Sequence, residues 1–354
     1  MDFHYVDRDD IKKWQLATFE IQQDIQSLFE KVGIDGWCGG GTLIGAVRDK
    51  GFLYWDNDMD MFFMFKDIKK IILAFWEERV FDRYKLFHFK DGFWQENYNL
   101  VEAVNGATAD KTLLDFEIEE LSRGMFKLFA KTGVNIKIYD NDFNEPEKYV
   151  KIKCRAPVHF TRRRLAYQND NIVNGNTYTV MPNLCMLPMI EMTYSNYLNF
   201  IYRFSLSRLF LRLSDYVQYS EVTLDKYCPL LVKPRIKERS GFDPKASAKF
   251  SQKTKLLLSA LKSANLYYLK TIRKRFSHRH NGKFIAYKPI DFRFLVRPYS
   301  YEDVFPLQKI PFENGKISVP HNINEVLSTQ FNDYMTVPGI DSRIAYPFFF
   351  EDKI

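Results

Sequence analysis

The side chains most able to do chemistry lie between residues 39 and 61. Gly39-Gly40-Gly41-Thr42 is a glycine-rich turn followed by a helix start at Leu43 to Ala46. Such a turn lets backbone N–H groups come close to an anion. About fifteen residues later Asp56, Asp58 and Asp60 stand at alternate positions in Trp55-Asp56-Asn57-Asp58-Met59-Asp60-Met61. On an extended strand Asp58 and Asp60 project from the same face. Two carboxylates held that close repel unless a cation lies between them. Oxygen ligands of this kind suit Mg²⁺ or Mn²⁺, completed by water and substrate phosphate. A third carboxylate from a neighbouring strand would complete a two-metal clamp, and Asp115 is the best placed. A lone glycine cluster or a lone D-x-D is weak evidence; together, in this order, they point to phosphoryl chemistry.

The surrounding pattern supplies elements to position them. Residues 8–32 read as an amphipathic helix through Ile11, Trp14, Leu16, Phe19, Ile21, Ile25, Leu28, Phe29 and Val32, ended by Gly33 and Gly36. Trp37 to Ala46 reads as a short strand, the glycine turn and a helix start. Met59 to Met64 is an apolar strand whose start carries the acids, and residues 67–80, with Ile68, Ile71, Ile72, Phe75 and Trp76, return to helical period. Thr112 to Glu119 and Val134 to Tyr139 alternate as strands, the first placing Asp115, Glu117 and Glu119 on one face. This order indicates a mixed α/β or α+β core. From about 160 to 290 the chain turns basic and helical, including an aromatic stretch over Tyr194 to Tyr219 and a lysine-rich one over 247–276. Three regions are therefore expected: a catalytic core over 1–160, a basic helical insertion over 161–290, and a closing segment over 291–354.

Composition bounds the class. The 354 residues, 46% hydrophobic and 27% charged, are those of a globular protein with ample core. Cys38, Cys154, Cys185 and Cys228 lack C-x-x-C spacing, so a reducing cytoplasm is expected rather than a zinc site or disulfide framework. No secretory signal is read at Met1-Asp2-Phe3-His4, and no apolar run approaches the ~20 residues of a membrane span. The net charge of +7 is uneven: Lys233 to Lys288 holds sixteen Lys and Arg against Glu238 and Asp243, a local +14 that leaves −7 for the rest. That segment suits an anionic partner. No nucleic-acid motif accompanies it, whereas 247–276 could lie on an anionic membrane with Leu256, Leu257, Leu258 and Leu261 inward. His159 beside Arg162-Arg163-Arg164, His321, and the pair His278 and His280 are weaker candidates.

Gly40-Gly41-Thr42-Leu43-Ile44-Gly45-Ala46-Val47-Arg48-x-Lys50-Gly51-Phe52, followed by Trp55-Asp56-Asn57-Asp58-Met59-Asp60, closely resembles the signature of the LicD family. That family comprises phosphocholine transferases and relatives of fukutin. Val304-Phe305-Pro306-Leu307, Ile310 to Gly315, Val319 to Asn322 and Gln330 to Met335 are similar to its closing segment. The resemblance implies a nucleotidyltransferase-type fold of the polymerase beta superfamily, a small mixed sheet flanked by helices. It also implies transfer of phosphocholine, or a similar phospho-alcohol, from a CDP-alcohol to a hydroxyl of a cell-surface glycan or its lipid-linked precursor, releasing CMP. CDP-choline is the expected donor. Gly40, Gly41, Thr42, Arg48 and Lys50 would meet the donor phosphates. Asp58, Asp60 and Asp115 would be catalytic and, with Asp56, would ligate Mg²⁺ or Mn²⁺. The expected location is cytoplasmic, peripheral at the inner face of the cytoplasmic membrane. The chain departs from the family at Asn57, where an acid is usual. The third carboxylate is Asp115 or, in the other alignment, Asp140. The rival readings are a nucleotidyltransferase using a nucleoside triphosphate and a non-catalytic membrane-surface scaffold.

Overall fold

The computed structural model describes residues 4–90, 93–97, 100–101, 118, 121, 125–140, 145, 147–152, 159–160, 163–164, 174–192, 284–287, 299–331 and 333–348. Two compact units form, Met1–Pro188 with Asp303–Ile354, and Met189–Glu302. The first unit is α+β, one of the two classes that the order of elements allowed.

Its longest helix, α1, spans Arg8–Val32. Asp7 caps it by accepting from the Asp9 N–H at 2.9 Å, Asp9 and Asp10 face the positive end of the dipole, and Gly33 closes it at φ 65°. Ile11, Trp14, Phe19, Ile21, Ile25 and Phe29 are buried along one face, and so are Gln15, Gln22 and Gln26. Leu16, expected on that face, is exposed, since it lies two residues, some 200°, beyond Trp14. On α3 (Ile68–Glu77) Trp76 is likewise exposed while Ile71, Ile72 and Phe75 are buried.

Two sheets pack in this unit. The first is mixed, in the order β11 (Thr177–Val180), β7 (Val134–Tyr139), β1 (His4–Asp7), β8 (Tyr149–Ile152), β17 (Ile344–Ala345). All its pairings are antiparallel except β8 with β17. The second runs β12 (Asn183–Met192), β6 (Phe126–Ala130), β4 (Tyr84–Lys90), β5 (Phe93–Glu96), with β3 (Met59–Met64) pairing β12 and β2 (Gly36–Cys38). Trp37 faces Phe62 across β2 and β3, and Phe63, Phe87, Phe126 and Phe129 are fully buried. Phe129 meets Phe87 edge-on at 4.8 Å and Phe348 at 5.2 Å. A short pair, β9 (His159–Phe160) with β10 (Arg163–Arg164), forms a two-stranded sheet of its own, with β9 beside β5.

The closing hairpin, β15 (Gln308–Phe312) and β16 (Gly315–Val319), lies on α1. Gln23 donates to the Lys316 carbonyl at 3.0 Å, Gln26 accepts from the Ser318 N–H at 2.8 Å, and Phe312 sits between Phe19 and Phe52. It is followed by α5 (Ile323–Gln330) after the short α2 (Gly40–Arg48) and α4 (Val80–Arg83) earlier in the chain. In the second unit, the Met189–Met192 end of β12 pairs with β13 (Phe284–Tyr287), and β13 with β14 (Tyr299–Ser300).

The stretch 161–290, expected to be helical, is extended where it is described beyond residue 176: β11 completes the first sheet, and β12 joins the second. Leu184 to Leu187 form a fully buried apolar run, which suits a central strand as well as a helix. The aromatic stretch over Tyr194 to Tyr219, the helix over 247–276 and His278 with His280 lie outside the described residues. Among the described residues no helix is long and apolar enough to cross a membrane.

A helical glycine normally gains stability on replacement by alanine. At Gly45 in α2 an added Cβ would lie 2.4 Å from the Gly51 carbonyl oxygen and 3.0 Å from the Leu53 nitrogen, because the 49–53 turn folds back on the helix. Gly45→Ala is therefore expected to lose about 1–3 kcal/mol of stability, read by urea denaturation. A gain would show that the turn gives way freely.

Candidate active site

Positioning of the acids begins with backbone. Gly39, Gly40 and Gly41 join β2 to α2, and the Asp60 peptide is bracketed there. Its carbonyl accepts from the Gly39 N–H at 3.2 Å, and its N–H donates to Thr42 Oγ1 at 3.0 Å. Thr42, expected at the donor phosphates, is buried and uses its hydroxyl to lock Asp60. Gly40, at φ 57°, and Gly41 then touch the acids themselves: a Cβ at Gly40 would lie 2.6 Å from Asp60 Oδ2, and one at Gly41 2.4 Å from Asp56 Oδ2. The glycine turn and the carboxylates thus occupy one place, and only a residue without a side chain fits between them.

Asp56, Asp58 and Asp60 converge as the alternating spacing predicts. Burial, followed by the charges of Asp58 and Asp60 and a hydrogen bond to Asp58, holds the Asp56 carboxyl well above the usual carboxylate range, with the Asp58 backbone opposing. The loop that carries them is gripped from outside. Gln15 on α1 donates to the carbonyls of Leu53 at 3.0 Å and Asp56 at 2.7 Å. Asn57, 4% exposed, makes a reciprocal pair with Tyr346: its Nδ2 donates to the Tyr346 carbonyl at 3.2 Å, and its Oδ1 accepts from the Tyr346 N–H at 2.7 Å. A carboxylate could not make the first of these bonds, which accounts for an amide where the family usually has an acid.

Sequence reasoning missed one group at the centre. Lys127 on β6 is 2% exposed and donates to Asp58 Oδ2 at 3.0 Å and Asn183 Oδ1 at 2.5 Å. Its nitrogen also lies 5.4 Å from the Trp94 ring and 5.3 Å from that of Phe348. The signal was a single charge in the apolar run Phe126-Lys127-Leu128-Phe129-Ala130. Two thiols complete the wall. Burial pushes Cys185 well up, against the pull of Lys127 and with Asp60 and Asp58 adding to it. Burial and the Asp60 charge do the same at Cys38. Both sulfurs stay protonated and neutral.

Arg48 is half-buried with its guanidinium 5.9 Å from the centre of the Trp55 ring, and Arg343 approaches the same ring at 5.5 Å while donating to the Tyr54 hydroxyl at 2.7 Å. Lys50 is exposed, and its carbonyl accepts from the Glu313 N–H at 2.8 Å. Asp140 is not with the other acids in any described contact; it pairs with buried His4 at 2.7 Å on the first sheet. Asp115 lies outside the described residues. Of its expected strand only Ile118 is described, and that residue is helical and buried. His321 donates its backbone N–H to Val304. Among the described residues no three His, Cys, Asp or Glu side chains stand together as a ready metal cage. The donor set nonetheless fits Mg²⁺ or Mn²⁺, which such sites usually bind through one or two carboxylates with water and substrate phosphate; the carboxylates that hold Asp56 protonated are where a cation would take the proton's place.

Comparison with known proteins places this centre. Residues 33–151 match the family described as LicD/FKTN/FKRP, nucleotidyltransferase domain. Over 152 residues, 41% of this chain, the sequence is 28% identical to the lipopolysaccharide cholinephosphotransferase LicD of Haemophilus influenzae, and the match covers 52% of that protein. Shorter stretches of 56 and 55 residues are 36% identical to uncharacterized proteins of Rickettsia typhi and Rickettsia prowazekii, covering 18% and 21% of them. The chain thus spans about half the length of the Haemophilus relative and less of the others. No solved structure matches it. The matched stretch contains the glycine turn, the three acids and Lys127, whereas Gln15, Asn183 and Tyr346 reach it from outside.

Two outcomes follow. The carboxyl of Asp56 binds its proton more tightly folded than unfolded, so its contribution to metal-free stability is lost as pH rises above about 4. In chelator, Asp56→Asn should melt higher than the wild type by a margin that grows with pH and shrinks when Mg²⁺ is added. An equal margin at every pH would contradict the clustering. Asn57→Asp should cost about 1–3 kcal/mol and speed proteolysis beyond residue 337, seen by mass spectrometry; unchanged cleavage would show that Tyr346 is held by other contacts.

Proposed function

We propose that this chain transfers a phospho-alcohol, phosphocholine foremost, from a CDP-alcohol to a hydroxyl of a cell-surface glycan or its lipid-linked precursor, releasing CMP. The observation that carries the reading is the contact of Gly40 and Gly41 with the carboxylates of Asp60 and Asp56. It joins an anion-accepting turn to a cation-holding cluster within the stretch that matches the LicD family, and the Haemophilus relative is named a cholinephosphotransferase.

In the reaction the acceptor oxygen attacks the phosphorus that bears the alcohol. The bond from that phosphorus to the bridging oxygen breaks, CMP leaves with the electron pair, and the hydroxyl proton passes to a carboxylate oxygen. Phosphoryl transfer of this kind depends chiefly on positioning and charge stabilisation. Asp58 and Asp60 would hold Mg²⁺ or Mn²⁺, which would neutralise the diphosphate when bound. Backbone at Gly40 and Gly41 lets the donor approach, and Arg48 and Lys50 are the cations assigned to its phosphates. With a cation in the place of its proton, Asp56 would be an ionised carboxylate suited to receive the acceptor's proton. Asp115 is the proposed further ligand. A lipid-linked acceptor puts the reaction at the inner face of the cytoplasmic membrane, with the basic segment 247–276 on anionic lipid.

The test is a screen of CDP-choline, CDP-ethanolamine, CDP-glycerol and CDP-ribitol with Mg²⁺. One donor should raise the melting temperature and release CMP. That release should fall by about 10²-fold or more in Asp58→Asn and Asp60→Asn. Pyrophosphate released from a nucleoside triphosphate instead would establish nucleotidyl transfer, and no turnover with any of these substrates would leave the scaffold reading in force.

A further inference from the structure

Lys127 is costly to keep where it is. It stands in the middle strand of β12, β6 and β4, facing Cys185 on one side and Phe87 on the other, and the rest of β6 is apolar. An apolar residue would fill the same space without desolvating a charge. Every described polar contact of the side chain leads to the acidic centre or supports that contact. One bond goes to Asp58 Oδ2, a second to Asn183 Oδ1, and the rings of Trp94 and Phe348 lie against the ammonium. Asn183, fully buried, also donates to the Met181 carbonyl at 3.4 Å, so its oxygen is aimed at Lys127 by backbone. The Met181 N–H is held in turn by the Phe348 carbonyl at 2.7 Å. The ammonium is therefore fixed, and through it one oxygen of Asp58.

We propose that Lys127 is a positioning residue of the acidic centre, a built-in counter-charge that holds Asp58 in place and limits how tightly the Asp56, Asp58 and Asp60 cluster binds a divalent cation. The proposal rests on the metal-binding reading given above. Once a cation has displaced the Asp56 proton, three ionised carboxylates would carry −3; with Lys127 the centre carries −2, the charge that a divalent cation balances. A weaker grip on the cation suits a site whose cation must also hold a diphosphate and then release CMP. Loss of the ammonium leaves an extra unit of negative charge a few ångströms from the bound ion, in surroundings of low effective permittivity, where such a change is worth roughly tenfold or more in affinity.

The experiment is titration of the full chain with Mn²⁺ alone, following free Mn²⁺ by its electron paramagnetic resonance signal, with a melting curve for each variant. Lys127→Met should bind Mn²⁺ roughly tenfold more tightly than the wild type, whatever it does to melting temperature. Lys127→Arg, which keeps the charge, should stay close to wild-type affinity. If Lys127→Met does not fold, Asn183→Asp takes its place: it adds a carboxylate on the far side of the ammonium and should also tighten Mn²⁺. A folded Lys127→Met that binds Mn²⁺ equally or more weakly overturns the proposal, and a change confined to melting temperature shows Lys127 to be structural only. A wild-type chain that binds no Mn²⁺ overturns the metal reading itself, and this proposal with it.

Discussion

Three carboxylates on alternate residues repel one another, and holding them together is the constraint on which the rest of the centre depends. Asp56, Asp58 and Asp60 occupy the entry to β3, too close to remain ionised without compensation. The compensation in this chain takes three forms. A proton stays on Asp56, raised by burial and by its neighbours. An ammonium, Lys127, bonds Asp58. The glycine turn removes the side chains that would otherwise force the carboxylates apart. Each lowers the free energy of an arrangement that an isolated strand would not hold.

Geometry adds what charge does not. The backbone of the acidic loop is fixed by amides with no charge of their own: Gln15 from α1, and Asn57 through Tyr346. An amide both donates and accepts, so it can hold a peptide group in place without altering the electrostatics around it. Carboxylates in those roles would deepen the repulsion, and lysines would compete with the cation. Gln15 therefore serves the centre although it stands on a face that otherwise packs core.

Much of this was legible before any coordinates. α1, β3 and β7 lie where periodicity put them, because each buries one clean face and ends on an unambiguous residue such as Gly33. The acids were legible as a cluster because alternate residues on a strand share a side. The strands after residue 176 were not, since a run such as Leu184 to Leu187 has no period to separate helix from strand. Nor was the bond of Thr42 to Asp60: a hydroxyl beside glycines invites a phosphate, and only tertiary pairing shows that it also accepts from the Asp60 N–H. Lys127 escaped because its partners, Asp58 and Asn183, are 69 and 56 residues away. No local pattern links such positions, and a lone lysine in an apolar strand looks like an edge residue until the strand is seen to be central.

The distribution of these roles along the chain carries a further consequence. The reactive side chains fall inside the stretch 33–151 that matches the LicD family, while Gln15, Asn183, Glu313, Arg343 and Tyr346 fall outside it. Glu313 accepts from the Phe52 N–H and pairs with Lys12, tying the end of the glycine motif to both α1 and the closing hairpin. Arg343 binds the Tyr54 hydroxyl, one residue before Trp55. The acids are thus carried by one segment and aimed by two others, from the beginning and from the far end of the chain. A change in the closing segment can then alter the orientation of Asp56 and Asp58 without touching a reacting atom. Relatives that share the 33–151 stretch but differ in these flanks would hold the same carboxylates in different settings, so similarity within the stretch speaks to the chemistry of the centre more directly than to its specificity.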